Sequence, residues 1–340
     1  MSKVGFDSII GQNMAKKVLK KSVINQNPSH AYIFYGLKST GKTTTALEYA
    51  RALNCLDIKD GSSCGECANC RSQLNGNFPD IRVWSPIKKE TTISQMREMR
   101  DDAVFKPVKG RWKVNIIEQA DTLNEEAANC ILKLLEDTPE YLVNILLSRN
   151  TSAVLPTIKS RCQQIRFSQV QADELKQKLI DDYNADEDEI DFIVAYSQGR
   201  PGIAISALNS NDIKELRDKI SDIADKIINE DAWTALKLAE DIRANASEES
   251  EAEKGAREIV LDSLEMLLIW YRDLLSVKTA GESALVVNSD RKDNLISQSN
   301  GISQKKIENS IGYIMHAQKA IWNYAVPQMV TESLMIQLSS

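Results

Sequence analysis

No run in the 340-residue sequence approaches the roughly 18 uninterrupted apolar residues that a membrane-spanning helix requires. The opening residues, Met1-Ser2-Lys3-Val4-Gly5, lack the apolar core of a secretory leader. Together these absences predict a cytoplasmic protein. Positive charge is not in excess either: 42 Lys and Arg stand against 48 Asp and Glu, a formal charge of −6. With no stripe of interleaved aromatic and basic residues, a stand-alone nucleic-acid-binding surface is disfavoured, while a local basic patch stays compatible. Paired catalytic carboxylates of a nuclease and the acceptor motif of a nucleotide kinase are missing too. What remains is an ordinary globular composition, 42% hydrophobic and 26% charged, long enough for about two or three domains.

From Phe6 to Phe167 short apolar runs alternate with amphipathic stretches, which predicts an α/β sheet. Strands are expected at 31–35, 81–84, 114–117, 143–147 and 164–167, and helices at 14–25, 42–53, 93–105 and 125–136. Most of these strands are rich in apolar residues on both faces, as in a sheet covered on both sides. Residues 169–210 are expected to form a short helical segment around the turn Gln198-Gly199-Arg200-Pro201-Gly202. Beyond 211 helical spacing continues through 213–228, 232–244, 259–277, 291–297 and 302–324, with a final amphipathic helix in 325–335. The acidic stretch Ser247-Glu248-Glu249-Ser250-Glu251 reads as a solvated turn and 279–290 as a loop. Three domains are therefore expected: 1–168, 169–210 and 211–340.

The octet Gly36-Leu37-Lys38-Ser39-Thr40-Gly41-Lys42-Thr43 follows an expected strand and opens an expected helix. That is the setting of a phosphate-binding P-loop. Its glycines let backbone N–H groups curl round a phosphate chain, with Ser39 and Thr40 in the curl. Lys42 would reach the β- and γ-phosphates of ATP, and the Thr43 hydroxyl would ligate Mg²⁺. Such a loop is normally completed by an Asp and then a Glu at the end of a second apolar strand. Here Lys113-Val114-Asn115-Ile116-Ile117 is followed by Glu118 and Gln119. Glu118 can serve the metal, but the amide of Gln119 cannot act as a general base. Nucleotide binding is expected, with hydrolysis weak or absent. Asp121, beyond the strand, reads as an N-cap or first-turn acid for the helix at 125–136.

Cys55, Cys64, Cys67 and Cys70 are spaced C-x8-C-x2-C-x2-C. Four thiolates so arranged suit tetrahedral Zn²⁺, and four protein ligands would make the metal structural. Vestigial or redox roles for the same thiols remain open. Cys130 falls on the apolar face of a helix and reads as core. For Lys16-Lys17 and Lys20-Lys21 a solvated helix face is preferred to a DNA contact.

A P-loop followed, one helix later, by a four-cysteine insert resembles the bacterial clamp-loader ATPases of DNA polymerase III, a branch of the AAA+ superfamily. The matching stretches are Phe6-Asp7-Ser8-Ile9-Ile10-Gly11-Gln12, Ser29-His30-Ala31-Tyr32-Ile33-Phe34, the P-loop and the cysteines. Ala127-Ala128-Asn129-Cys130-Ile131-Leu132-Lys133-Leu134-Leu135-Glu136 is similar to the family's AANALLKxLEEP, and Ser160-Arg161-Cys162 carries its SRC motif. The resemblance covers most of residues 1 to 205. It implies an AAA+ P-loop domain with a zinc insert, a small helical lid and an all-α collar. It also implies a hetero-pentamer with tau/gamma and delta subunits that acts on a sliding clamp and primed DNA. The tau/gamma motor keeps both acids after the second strand and a lid arginine in Gly-x-x-Arg-Asp-Ala. This chain has Glu118-Gln119 and Gly199-Arg200-Pro201-Gly202-Ile203-Ala204, so it is similar to a non-motor partner, as is the collar segment Trp270-Tyr271-Arg272-Asp273. The resemblance implies that Arg161 is an arginine finger in a neighbour's site. The alternative is a surface arginine capping a helix or strand end. It also implies adenine near Ile9 and Ile10, and a sensor position near Ser148 and Asn150.

Overall fold

A computed structural model describes residues 4–86, 92–209, 212–227, 232–247 and 253–339. The chain divides into two compact units: Met1–Lys178 with Gln198–Ile203, and Leu179–Ser197 with Ala204–Ser340.

In the first unit, strands β1 (Ala31–Tyr35), β2 (Ile81–Trp84), β3 (Lys113–Ile117), β4 (Leu142–Ser148) and β5 (Gln163–Arg166) form one parallel sheet ordered β2-β3-β4-β1-β5. Successive side chains of a strand point to opposite faces, and two separate cores result. Tyr32, Phe34, Val114, Ile116, Val143 and Ile145 pack on one face against Leu19 and Val23 of α1 (Asn13–Ile24) and Tyr49 of α2 (Lys42–Leu53). On the other face lie Ile33, Ile117, Leu142 and Leu146. They pack with Met96 and Met99 of α4 (Ile93–Ala103) and Ile131 and Leu134 of α5 (Glu125–Glu136). Cys130 belongs to this second core. Each such side chain stabilises the fold by about 1.5–3 kcal/mol relative to exposure. The two short helices α3 (Ala68–Leu74) and α6 (Pro156–Lys159) carry too few periodic positions to be legible in sequence.

The α4 helix stops before the expected end at 105. Tyr141 Oη donates to the carbonyls of Ala103 and Val104, and Lys113 Nζ to those of Asp102 and Phe105. Side chains from elsewhere thus satisfy the last carbonyls, and the buried carboxylate of Asp80 collects the N–H groups of Val108, Lys109 and Gly110 at 2.6–2.7 Å. The basic face of α1 is also less solvated than expected. Lys16 Nζ donates to the Ile9 carbonyl at 3.0 Å, and Lys20 pairs with Asp7 at 3.2 Å. Burial moves the Lys16 ammonium below its ordinary pKa.

Residues 169–210 hold three helices where a short helical segment was expected: α7 (Ala172–Tyr183), α8 (Glu187–Ser197) and α9 (Pro201–Asn209). The second unit continues with α10 (Asp212–Ile227), α11 (Ala232–Ser247), α12 (Glu253–Ala280), α13 (Lys292–Gly301), α14 (Gln304–Trp322) and α15 (Pro327–Ser339). Leu264, Leu267, Trp270, Tyr271 and Leu274 of α12 are buried in it. The connection after α12 is shorter than the expected 279–290. Its far end is gathered by the buried Asp273 carboxylate, which accepts from Val287 N, Asn288 N and Asn288 Nδ2 at 2.8–2.9 Å. Glu248 to Glu251 of the acidic stretch lie outside the described residues.

Candidate functional site

Strand β1 ends at Tyr35, paired with Ser148 of β4, and the chain turns at Gly36. A Cβ at Gly36 would lie 2.1 Å from the Phe167 carbonyl oxygen, so only glycine fits there. Gly36 N–H donates to the Ser148 carbonyl at 3.2 Å. Ser39 (φ 66°) and Gly41 (φ 92°) are left-handed on either side of Thr40. Left-handed residues alternating along a turn are the backbone pattern of an anion-binding nest. Thr40, fully buried, closes the turn through a 2.9 Å bond from its hydroxyl to the Leu37 carbonyl. Gly41 begins α2 without a side-chain cap, so the first N–H groups of α2 are left to a ligand or water.

The Lys42 ammonium is buried and donates to the carbonyls of Gly36 and Leu37, both at 2.6 Å. Burial, and then the charge of Arg149, lower its pKa to about 8 against the opposing pull of Asp121. Thr43 Oγ1 lies 3.3 Å from Glu118 Oε1, and Ser85 Oγ donates to Glu118 Oε2 at 2.8 Å. Expected loop residues and Glu118 therefore meet at one place, the C-terminal edge of β1 and β3. The hydroxyl-carboxylate pair offers the hard oxygen donors that suit Mg²⁺.

One neighbouring residue departs from its expected role. Asp121 does not cap α5: that cap is Asn124, whose side chain accepts from Ala127 N at 2.9 Å. The Asp121 carboxylate instead accepts from Arg149 N at 3.1 Å. Ser148 and Asn150 form a turn of their own beside the loop, with the Ser148 hydroxyl bonded to the Asn150 backbone and Asn150 Oδ1 accepting from Ser152 N. The residue between them, Arg149, is the one whose charge acts on Lys42, which the sequence reading missed. The signal lay in the pairing of β4 with β1, which sets the residue after Ser148 beside the loop.

The second cluster begins where α2 ends. The sulfurs of Cys55, Cys64, Cys67 and Cys70 lie within 4.8 Å of one another, with Cys55–Cys64 at 3.5 Å and Cys64–Cys70 at 3.9 Å. Metal–sulfur bonds of about 2.3 Å in a tetrahedron place sulfurs about 3.8 Å apart, so the donor set fits zinc. Backbone N–H groups of Cys64, Cys67 and Cys70 point at the sulfurs of Cys55, Cys64 and Cys67 at 3.3–3.4 Å. Burial raises the Cys55 and Cys70 thiols. Burial also pushes Cys67 up, but hydrogen bonds from Leu56 and Cys70 outweigh it and bring the thiol to about 6. The insert is fastened to α2 by Glu48, whose carboxylate accepts from Ser63 Oγ at 2.6 Å and pairs with Arg51 at 2.6 Å.

Arg161 follows α6. Its guanidinium donates to the Thr157 carbonyl at 3.1 Å and to Glu136 Oε1 of α5 at 2.8 Å, and it is about a third exposed at 37%. Its bonds are thus on α5 and α6, apart from the phosphate loop.

The model of the family described as DNA polymerase III, delta subunit, matches residues 11–171. The delta' subunit of Bacillus subtilis DNA polymerase III is 25% identical over 96% of this chain and 96% of its own length. The tau subunit of the same organism is 26% identical over 81% of this chain, and the tau/gamma subunit of Haemophilus influenzae is 33% identical over 51%. The chain spans half of the first of these two relatives and a quarter of the second, at 50% and 25% of their lengths. A solved gamma subunit-related protein of Thermotoga maritima shares the fold, with a TM-score of 0.50 at 16% identity over 95% of this chain and 98% of its own.

Proposed function

We propose that this chain, a relative of the clamp-loader subunits of bacterial DNA polymerase III, works as a delta' subunit. In that role it joins tau/gamma and delta subunits in a hetero-pentamer that places the sliding clamp on primed DNA in the cytoplasm. The observation that carries the reading is the similarity to a delta' subunit along nearly the whole of both chains, 96% of each. The N–H nest of residues 36–43, with Lys42, would hold the phosphates of ATP, and Thr43 and Glu118 would hold its Mg²⁺. Bound nucleotide supplies a scissile phosphate anhydride. Gln119, at the place of a water-activating acid, has no basic oxygen to take the proton. The site therefore holds nucleotide and turns it over poorly. Cys55, Cys64, Cys67 and Cys70 would hold Zn²⁺, which cross-links the insert. Residues 169–210 serve as the lid and 211–340 as the collar.

Arg161 acts in trans in this reading. A guanidinium stays charged at any working pH and makes forked contacts with phosphate oxygens, and its surface ion pair with Glu136 is weak enough to exchange for a neighbour's nucleotide. The Thr43–Glu118 contact supports a second reading, a hydrolysing tau/gamma-like ATPase. Both are tested by reconstituting the loader with primed DNA and clamp. Arg161→Ala is expected to lower the DNA-stimulated ATPase of the assembly by about tenfold or more, with this chain still assembled. Unchanged activity rejects the finger. Turnover of about 1 per second or faster by the isolated chain defeats the delta' reading in favour of the motor.

A further inference from the structure

Residues 198–203 belong to the same compact unit as the phosphate loop, although the segments on either side of them in the chain do not. The reason is a set of main-chain contacts. Gly202 N–H donates to the Ser39 carbonyl at 2.9 Å. A Cβ at Gly202 would stand 3.1 Å from both Ser39 Cβ and the Ser39 carbonyl oxygen, closer than ordinary contact. The segment is fastened behind this bond: Val170 N–H donates to the Gly199 carbonyl at 2.8 Å and Gln169 Nε2 to the Gln198 carbonyl at 2.9 Å. The next loop carbonyl is held as well. Gln12 Nε2 donates to the Thr40 carbonyl at 3.2 Å and to the Ser168 carbonyl at 2.6 Å.

Ser39 is a non-glycine residue in the left-handed region, at φ 66°. That conformation is disfavoured for an L side chain, and it persists where the surroundings over-determine it. The same conformation builds the N–H nest. Something outside the loop must therefore hold Ser39, and its carbonyl accepts from the Gly202 main chain.

We propose that segment 198–203 is a backbone clasp on the phosphate loop and that Gly202 is a positioning residue for nucleotide. Gly202 acts by holding Ser39 in the conformation that aims the nest. The absence of a side chain at 202 is what lets the main chain approach. This rests on the loop being a nucleotide site, and the experiment separates the two claims.

Gly202→Val and Gly202→Ala are compared with wild type by hydrogen exchange of the peptides covering 36–43 and 198–206 without nucleotide, and by titration with a fluorescent ATP analogue. Gly202→Val is expected to speed exchange in both peptides and to weaken analogue binding about tenfold, on the scale of one lost hydrogen bond. Gly202→Ala moves in the same direction by less, with an unchanged or raised melting temperature, because alanine favours the α9 helix. Adding Ser39→Gly to Gly202→Val removes the left-handed penalty and restores binding to within about threefold of wild type. A general loss of structure would not be repaired by that change. Wild-type exchange and affinity in both Gly202 variants, or failure of Ser39→Gly to restore binding, overturns the clasp. Should wild type bind no analogue, the nucleotide reading falls, and the exchange of the two peptides still decides for or against the clasp.

Discussion

The phosphate loop and the cysteine cluster sit at opposite ends of α2, a helix of 12 residues, and they are held by different means. The loop owes its shape to distant segments: Ser148 receives the Gly36 N–H, Phe167 leaves no room for a Cβ, and Gly202 and Gln12 hold the carbonyls of Ser39 and Thr40. The cluster is nearly self-contained. Its sulfurs accept N–H groups from within the same 16-residue stretch, and Glu48 of α2 ties it to the helix. A short motif can thus be a local structure or the meeting point of a whole unit. The loop should respond to changes far along the chain, whereas the cluster should respond to its metal.

The largest expected effect is on the cluster. Wild type should carry about one zinc per chain, and Cys64→Ser should lose it. Four buried or half-buried thiols without a cross-linking ion leave the insert without a core, at a stability cost of about 3 kcal/mol or more. Metal analysis and a melting curve check this, and zinc loss with an unmoved melting temperature would show the cluster to be dispensable to the fold. Nucleotide affinity in the same variant sharpens the comparison. If it collapses too, α2 transmits between its ends and the two regions are one device.

Next is Lys42→Ala, which should weaken binding of an ATP analogue by about 10–100-fold, the value of a charge-assisted contact, while zinc content stays at the wild-type level. The pH dependence carries the same signature. With the ammonium titrating at about 8, its attraction for phosphate is present below that pH and fades above it. Stability runs the other way. Between about 8 and the ordinary 10.5 the unfolded chain holds a proton that the folded chain has released, so this group's contribution makes stability rise with pH. Affinity that is flat from pH 7 to about 9 would break the assignment of Lys42 to the phosphates.

The smallest effect serves as the baseline. Glu136→Gln removes a surface pair whose partners are 51% and 37% exposed, and it should cost about 1 kcal/mol or less in a melting experiment. A larger loss would mean that Arg161 is held more firmly than its exposure allows.

The sheet was legible because its strands are short apolar runs between amphipathic helices; 31–35 and 81–84 agree to the residue with β1 and β2. The octet at 36–43 and the cysteine spacing were legible for a related reason, since each places its chemistry within a few bonds along the chain. Helix α4 was misjudged at its end because its last carbonyls are satisfied by Tyr141 and Lys113, which no local pattern reveals. Asp121 was misjudged because a carboxylate near a helix start reads as a cap, whereas Asn124, with a side chain of matching reach, takes that role and leaves Asp121 to Arg149. The helices between 169 and 210 were compressed into one segment because the turn at Asn184 depends on a left-handed non-glycine residue that carries no glycine signal, whereas the turn at Gln198-Gly199 was legible from its glycine.

By itself the sequence determined the octet at 36–43 between its strand and helix, the four metal-ligand candidates, the Glu118-Gln119 pair and the two-faced sheet. Each of these follows from residue type and spacing, and local backbone geometry does the rest. Tertiary structure alone decided which residues surround the loop. Arg149 reaches Lys42's surroundings because β4 pairs with β1, and Gly202 meets Ser39 because a segment over 150 residues onward returns to the same unit. Hydrogen bonds between main chains have no side-chain signature. A contact made by the absence of a side chain leaves in the sequence only a glycine, and its reason becomes visible when the chain has folded back upon itself.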